Sequence, residues 1–148
     1  MKLRSRLVMT AAVVGLLGGL VGAGGAEGTA REPFTRLDPA AFEERMKHEP
    51  AMVINVHVPY EGELAGTDAF IPYDKIRDDP RLPEDKGTEL LLYCRTGRMS
   101  EEAAVDLHEE GYTNIAHLEG GMKAWEASGR QVTYNPENAA KHSAPHKM

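Results

Sequence analysis

Three short apolar runs punctuate an otherwise polar chain: Met52-Val53-Ile54-Asn55-Val56-His57-Val58, Leu90-Leu91-Leu92-Tyr93 and Ile115-Ala116-His117-Leu118. The first is β-branched and nearly continuous in its apolar character, as expected for a parallel strand buried on both faces. Phe34 to Leu37 and Ala69 to Pro72 read as briefer strands. Helical spacing fills the gaps. Asp38 is placed to cap a helix over 39–48, with Pro39 at its first position and Leu37 and Phe42 stapled across the cap. Phe42 and Met46, four apart, give that helix one buried face. A second helix follows Ser100, which reads as its N-cap, with Glu101 and Glu102 in the first turn and Ala103, Ala104 and Leu107 buried. Gly111 ends it. A third carries Met122, Ala124 and Trp125 inward and closes at Gly129. Strands that alternate with helices over short links predict an α/β fold: a single open, mostly parallel sheet with helices on both faces.

The ends differ from this pattern. Lys2, Arg4 and Arg6 precede an uncharged apolar stretch from Leu7 to Leu20 and then Gly22-Ala23-Gly24-Gly25-Ala26. Residues 1–26 read as a secretory signal peptide cleaved near Ala26, with an uncleaved anchor as the alternative. The expected location is therefore periplasmic or extracellular, and membrane-bound only if the leader is retained. Residues 27–33 read as a linker, 34–130 as the domain, and 131–148, polar and holding Pro136 and Pro145, as a disordered tail. His142 and His146 lie four apart, but Pro145 between them argues against a shared helical face and a metal site.

Charge narrows the partners. The formal net charge is −6 over 148 residues. No basic stripe and no aromatic cluster points to nucleic acid. In the loop-rich stretch 59–88, Glu61, Glu63 and Asp68 are irregularly spaced and have no companion histidine pattern, so they read as a solvated loop rather than a metal site.

The chemistry concentrates at Tyr93-Cys94-Arg95-Thr96-Gly97-Arg98-Met99-Ser100. Cys94 is the chain's single cysteine, so no internal disulfide forms, and a lone thiol in an oxidising compartment calls for a function. It sits between a strand and a helix N-terminus, where unpaired N–H groups and the helix dipole favour a thiolate. Arg95 and Arg98 add positive charge. His57, near the C-terminal end of its strand, lies where open α/β sheets bind ligands, although satisfaction by a loop backbone group is the commoner fate of such a histidine.

With these residues in view, the chain resembles the rhodanese-like sulfurtransferases. Val53-Ile54-Asn55-Val56-His57 is similar to that family's second strand, Leu91 through Ser100 to its active-site strand and loop, and His117-Leu118-Glu119-Gly120-Gly121-Met122-Lys123-Ala124-Trp125 to its C-terminal turn and helix. The likeness spans about residues 34–130. It implies that Cys94 takes a sulfane sulfur from a small anionic donor such as thiosulfate, holds it as a persulfide and passes it to a thiol, a cyanide-like acceptor or a redox partner protein. No metal or organic cofactor is implied. Successive N–H groups from Arg95 to Ser100 would cradle the anionic sulfur, with Thr96 and Ser100 adding hydroxyls and Gly97 allowing the tight loop. Arg98 is the candidate to bind the donor, Arg95 to point outward and steer it, and Met99 to shape the mouth. His57 and Asp68 are candidate pocket neighbours. The family usually has Asp and Arg where this chain has Asn55 and His57, and Gly-His-Ile-Pro-Gly-Ala where it reads Gly66-Thr67-Asp68-Ala69-Phe70-Ile71-Pro72. These departures keep open a non-catalytic sulfur-carrier or binding module. Cysteine phosphatases and arsenate reductases fit less well, because a phosphate-gripping Arg is needed where Ser100 stands.

Overall fold

The strands β1 (Thr35–Leu37), β2 (Met52–Asn55), β3 (Ala69–Phe70), β4 (Leu90–Tyr93) and β5 (Ile115–Leu118) form a sheet in the order β1-β5-β4-β2-β3, and every neighbouring pair is parallel. The computed structural model describes residues 31–143; the expected leader over 1–26 and most of the linker lie outside the described residues. The helices are α1 (Pro39–Arg45), α2 (Arg98–Glu109), α3 (Gly121–Ala127) and α4 (Pro136–His142), with one 3-10 turn at Tyr73–Lys75.

Both faces of the sheet are covered, as near-continuous apolar strands require. On one face Ile54, Leu90, Leu92 and Cys94 pack with Ala103, Ala104 and Leu107 of α2. On the other, Val53, Leu91 and Tyr93 pack with Phe42 of α1 and Met122 and Trp125 of α3. Local backbone signals set the helix ends. Asp38 accepts from Ala41 N–H at 2.8 Å, and Gly111, at φ 94°, closes α2 as its N–H donates to His108 while Tyr112 N–H donates to Leu107. That pair of bonds satisfies carbonyls the helix leaves open.

Three expectations change. Strand β2 stops at Asn55 rather than running to Val58, and the Asn55 side chain ties the turn that follows: its Nδ2 donates to Gly62 O and its Oδ1 accepts His57 N–H, both at 3.0 Å. Helix α2 begins at Arg98, three residues after the loop opens, with Gly97 as its cap and Ser100 inside it. Residues 131–143 are not a disordered tail. Thr133 bridges Glu63, Asn135 caps α4 through its side chain, and Pro136 takes the first helical position as proline does well.

Loop 59–88 is likewise less solvated than its composition suggests. Glu63 accepts from Tyr60 Oη at 2.6 Å and from Asn138 Nδ2 at 2.8 Å, and Tyr60 Oη in turn accepts Asn135 N–H at 3.0 Å. Burial, with the Glu63 hydrogen bond, pushes the Tyr60 phenol up to about 12. This knot fastens α4 to the domain. Replacing Glu63 by Ala removes the shared acceptor and should cost on the order of 1–2 kcal/mol in docking of the segment. Limited trypsin cleavage at Arg130 and Lys141 should accelerate about tenfold, while the urea midpoint of the remaining core moves little.

Candidate functional site

The loop after β4 lies at the point where the chain reverses its direction of travel across the sheet. From β4 the chain moves to β5 on one side; from β2 it moves to β3 on the other. Ligands of open α/β sheets bind at the C-terminal ends of the strands flanking such a point. Here those ends carry Cys94 and the Asn55–His57 turn, held together by Val56 N–H donating to Tyr93 O at 2.9 Å.

Cys94 is 1% exposed. Its Sγ accepts Gly97 N–H at 3.0 Å and stands 3.6 Å from Ser100 Oγ. A thiol that receives a backbone N–H is placed to be stabilised as an anion. Gly97, at φ 106°, supplies both that donor and the cap of α2. A side chain at this position would sit 3.3 Å from Gly120 N, so backbone strain and close packing both call for glycine.

The underside of the loop rests on α3. Met122 N–H donates to Cys94 O at 2.9 Å and Lys123 N–H to Arg95 O at 3.1 Å. Gly121 approaches so closely that a Cβ would lie 2.5 Å from both Cys94 O and the Arg95 carbonyl carbon. Farther down, the Tyr93 hydroxyl accepts Leu64 N–H at 3.1 Å and pairs with Thr67 Oγ1 at 2.6 Å. Burial pushes that phenol up to about 12, so it remains protonated and can act as both donor and acceptor.

The arginines are arranged differently from the sequence expectation. The Arg98 side chain is 67% exposed and pairs with Glu102 at 2.8 Å, one turn along α2. Arg95 is the more enclosed of the two, at 31%, and stands 3.4 Å from Glu61 and 3.8 Å from Glu126. Thr96 is exposed at the loop tip, and Met99 is partly buried and packs against the core.

His57 is brought to the site's edge. Its Nε2 is 3.1 Å from Glu61, close enough for attraction but not aligned as a hydrogen bond, and its Nδ1 has no partner among the described residues. Burial lowers its pKa and the Arg95 charge adds to this, while Glu61 opposes them. Asp68 is not brought in. One of its carboxylate oxygens takes Val53 N–H at 2.8 Å, supporting the β2–β3 edge well below the loop.

One residue the sequence reading passed over stands in the site. His117 of β5 is 2% exposed, and its Nδ1 lies 2.9 Å from Ser100 Oγ. The available signal was a histidine inside an otherwise apolar strand run.

Comparison with known proteins agrees with this geometry. The rhodanese-like domain model matches residues 40–128, more than half of the chain. The chain belongs to the rhodanese-like domain family. Its relatives include an uncharacterized protein of Synechocystis sp., 31% identical over 63% of this chain and 52% of the relative. A tRNA uridine(34) hydroxylase of Erwinia tasmaniensis is 29% identical over 72% and 34%. A probable adenylyltransferase/sulfurtransferase of Mycobacterium tuberculosis is 33% identical over 49% and 19%. The chain thus spans about half or less of the length of these curated relatives. A rhodanese-related protein of Thermoplasma volcanium superposes with a TM-score of 0.56 at 25% identity, covering 69% of this chain and 100% of that one.

Within this rhodanese-like domain the floor of the loop can be tested by a pair of glycines. Gly121→Ala drives a methyl into the Cys94–Arg95 backbone and should cost on the order of 3 kcal/mol. Gly111→Ala, also at positive φ (94° against 60° at Gly121) but with nothing within 4 Å of the added atom, should cost only about 1–2 kcal/mol. Urea midpoints of the two variants give the comparison; equal losses would mean that strain alone, not the loop contact, sets the cost at Gly121.

The buried histidines add a pH dependence. Burial lowers the pKa of His117 as well, opposed by Glu101 and reinforced by Arg36. Unfolding returns His57 and His117 to about 6.5. Below that pH the unfolded chain binds the extra protons, so stability is complete above about pH 6.5 and falls as the solution is acidified. The urea midpoint should therefore drop between about pH 7.5 and pH 5.5, and the drop should shrink in His57→Asn.

Proposed function

We propose that this domain is a sulfurtransferase that moves a sulfane sulfur from thiosulfate or a persulfide donor to a thiophilic acceptor through a Cys94 persulfide. The observation that carries the reading is the Gly97 N–H at 3.0 Å from Cys94 Sγ, in a loop that closes onto α2 with Ser100 at its sixth position after the cysteine. The Cys94 thiolate attacks the outer sulfur of thiosulfate. The S–S bond breaks, sulfite leaves with its electron pair, and the protein holds an anionic persulfide. The acceptor then attacks the terminal sulfur and the thiolate returns. Fixed N–H dipoles suit these sulfur anions without reorganising.

Ser100, 0% exposed and bonded within the protein, stands where a phosphatase would place its phosphate-gripping arginine. Arg98, turned outward to Glu102, offers no substitute, and this supports sulfur over phosphate as the guest. A second reading has a specific observation in its favour. Arg95 already stands between Glu61 and Glu126, so a doubly charged donor must compete with two carboxylates. That favours a domain that receives its sulfur from a persulfide carrier. Handling of this sulfur outside the cytoplasm is part of the proposal and depends on the leader read from residues 1–26.

Mass spectrometry after incubation with thiosulfate, and separately with a low-molecular-weight persulfide, should show one added sulfur on Cys94, absent in Cys94→Ser. Thiocyanate formation from thiosulfate and cyanide should fall at least about 10³-fold in the same variant. No added sulfur from either donor would sink the reading. Labelling by the persulfide alone would assign the carrier role.

A further inference from the structure

Ser100 occupies the third position of α2, and its hydroxyl is approached from three sides. Oγ donates to Gly97 O at 3.0 Å, lies 2.9 Å from His117 Nδ1 and stands 3.6 Å from Cys94 Sγ. All three side chains are at least 98% buried. A serine hydroxyl has one proton and two lone pairs, so its neighbours' hydrogens decide what it can offer the sulfur.

The far side of the imidazole decides the tautomer. His117 Nε2 is buried and finds no partner among the described residues, and Phe34 stands edge-on with ring centroids 5.3 Å apart. A buried N–H without a partner is rarer than a buried acceptor without one. The proton therefore belongs on Nδ1, aimed at Ser100 Oγ.

We propose that His117 is a positioning residue for Cys94: its Nδ1–H donates to Ser100 Oγ and so reserves the serine's own proton for Gly97 O or for the sulfur. The consequence for turnover rests on the sulfur-transfer reading; the geometry does not. While Cys94 is a thiol, Ser100 Oγ accepts from Nδ1–H and from S–H and donates to Gly97 O. When the thiol proton leaves to solvent, the S–H donor is gone, and the hydroxyl turns from Gly97 O to the anionic sulfur. No proton leaves the imidazole, and no covalent bond changes apart from the S–H bond. Burial keeps the ring neutral through this exchange. The charges that face it are Arg36 of β1, Glu101 of α2, Glu119 after β5 and Glu32 before β1, of which Arg36 and Glu101 neutralise each other across 2.7 Å. Of the loop's arginines, Arg95 is paired with Glu61 and Arg98 is turned outward to Glu102.

The tautomer is read directly by ring-nitrogen NMR of the wild-type chain near neutral pH. A proton on Nδ1 is expected; a proton on Nε2 would overturn the proposal. Two variants then separate donor from base. His117→Asn keeps an N–H where the ring presented one, whereas His117→Phe keeps the ring and loses the donor. Because the chain has one cysteine, thiolate absorbance reports Cys94 alone. In His117→Phe the Ser100 hydroxyl loses the donor that orients and polarises it toward the sulfur, so the thiolate signal at one fixed pH should fall several-fold, and His117→Asn should return it to within about twofold of the wild type. An unchanged signal in the Phe variant would overturn the proposal. An Asn variant as impaired as Phe would overturn it too, and would make the imidazole a base. If the Phe variant does not fold, Ser100→Ala takes its place with the same expected loss. None of these readouts uses a sulfur donor, so failure here and failure of the persulfide experiment are told apart.

Discussion

Met122 N–H and Lys123 N–H hold the carbonyl oxygens of Cys94 and Arg95 from below, at 2.9 and 3.1 Å. Once those two carbonyls are committed to α3, the loop has its N–H groups left for the other side, and Gly97 N–H meets the sulfur. The contact demands two adjacent glycines. Gly120 turns at φ 75°, and Gly121 has no room for a Cβ against the loop backbone. The first turn of α3 is in turn fixed by Met122 and Trp125, buried in the core on the far face of the sheet. The geometry around Cys94 is therefore set by apolar packing on the face its side chain does not occupy. Preorganisation of this kind places the backbone dipoles at Cys94 before any ligand arrives.

Electrostatics then select among visitors. Neither arginine of the loop stands free. Arg98 is engaged along α2 by Glu102, and Arg95 is flanked by Glu61 and Glu126. Exposed pairs of this sort are worth little and exchange readily, so they screen the site without closing it. What remains permanently positive at the sulfur is backbone.

Much of the fold was legible because its signals are local. Asp38-Pro39 starts α1, Gly111 and Gly129 end α2 and α3, and the run Ile115–Leu118 is β5 to the residue. Cys94 and its loop were legible for the same reason. What failed was tertiary. Ser100 before two glutamates reads as a cap, but Gly97 starts the helix earlier and the Ser100 hydroxyl turns inward to Gly97 O and His117 Nδ1. The arginine orientations depend on where the loop gives way to α2: Arg98 opens the helix and meets Glu102, whereas Arg95 precedes it and meets Glu61 and Glu126. The tail misled because its polarity outweighed Asn135-Pro136, a capping signal as good as Asp38-Pro39 and present in the residues themselves.

The departures at Asn55 and His57 make sense together. An amide at 55 both donates to Gly62 O and accepts His57 N–H; a carboxylate could do only the second. That bond turns the chain so that His57 stands beside Glu61, which also faces Arg95. An arginine at position 57 would compete with Arg95 for Glu61 and add a second permanent cation at the loop's edge. A histidine whose pKa is lowered by burial adds no permanent cation, although its Nε2 lies 3.1 Å from Glu61. A histidine at 57 therefore lowers the positive charge at the loop's edge, so the Cys94 sulfur depends more heavily on the Gly97 N–H and the Ser100 hydroxyl.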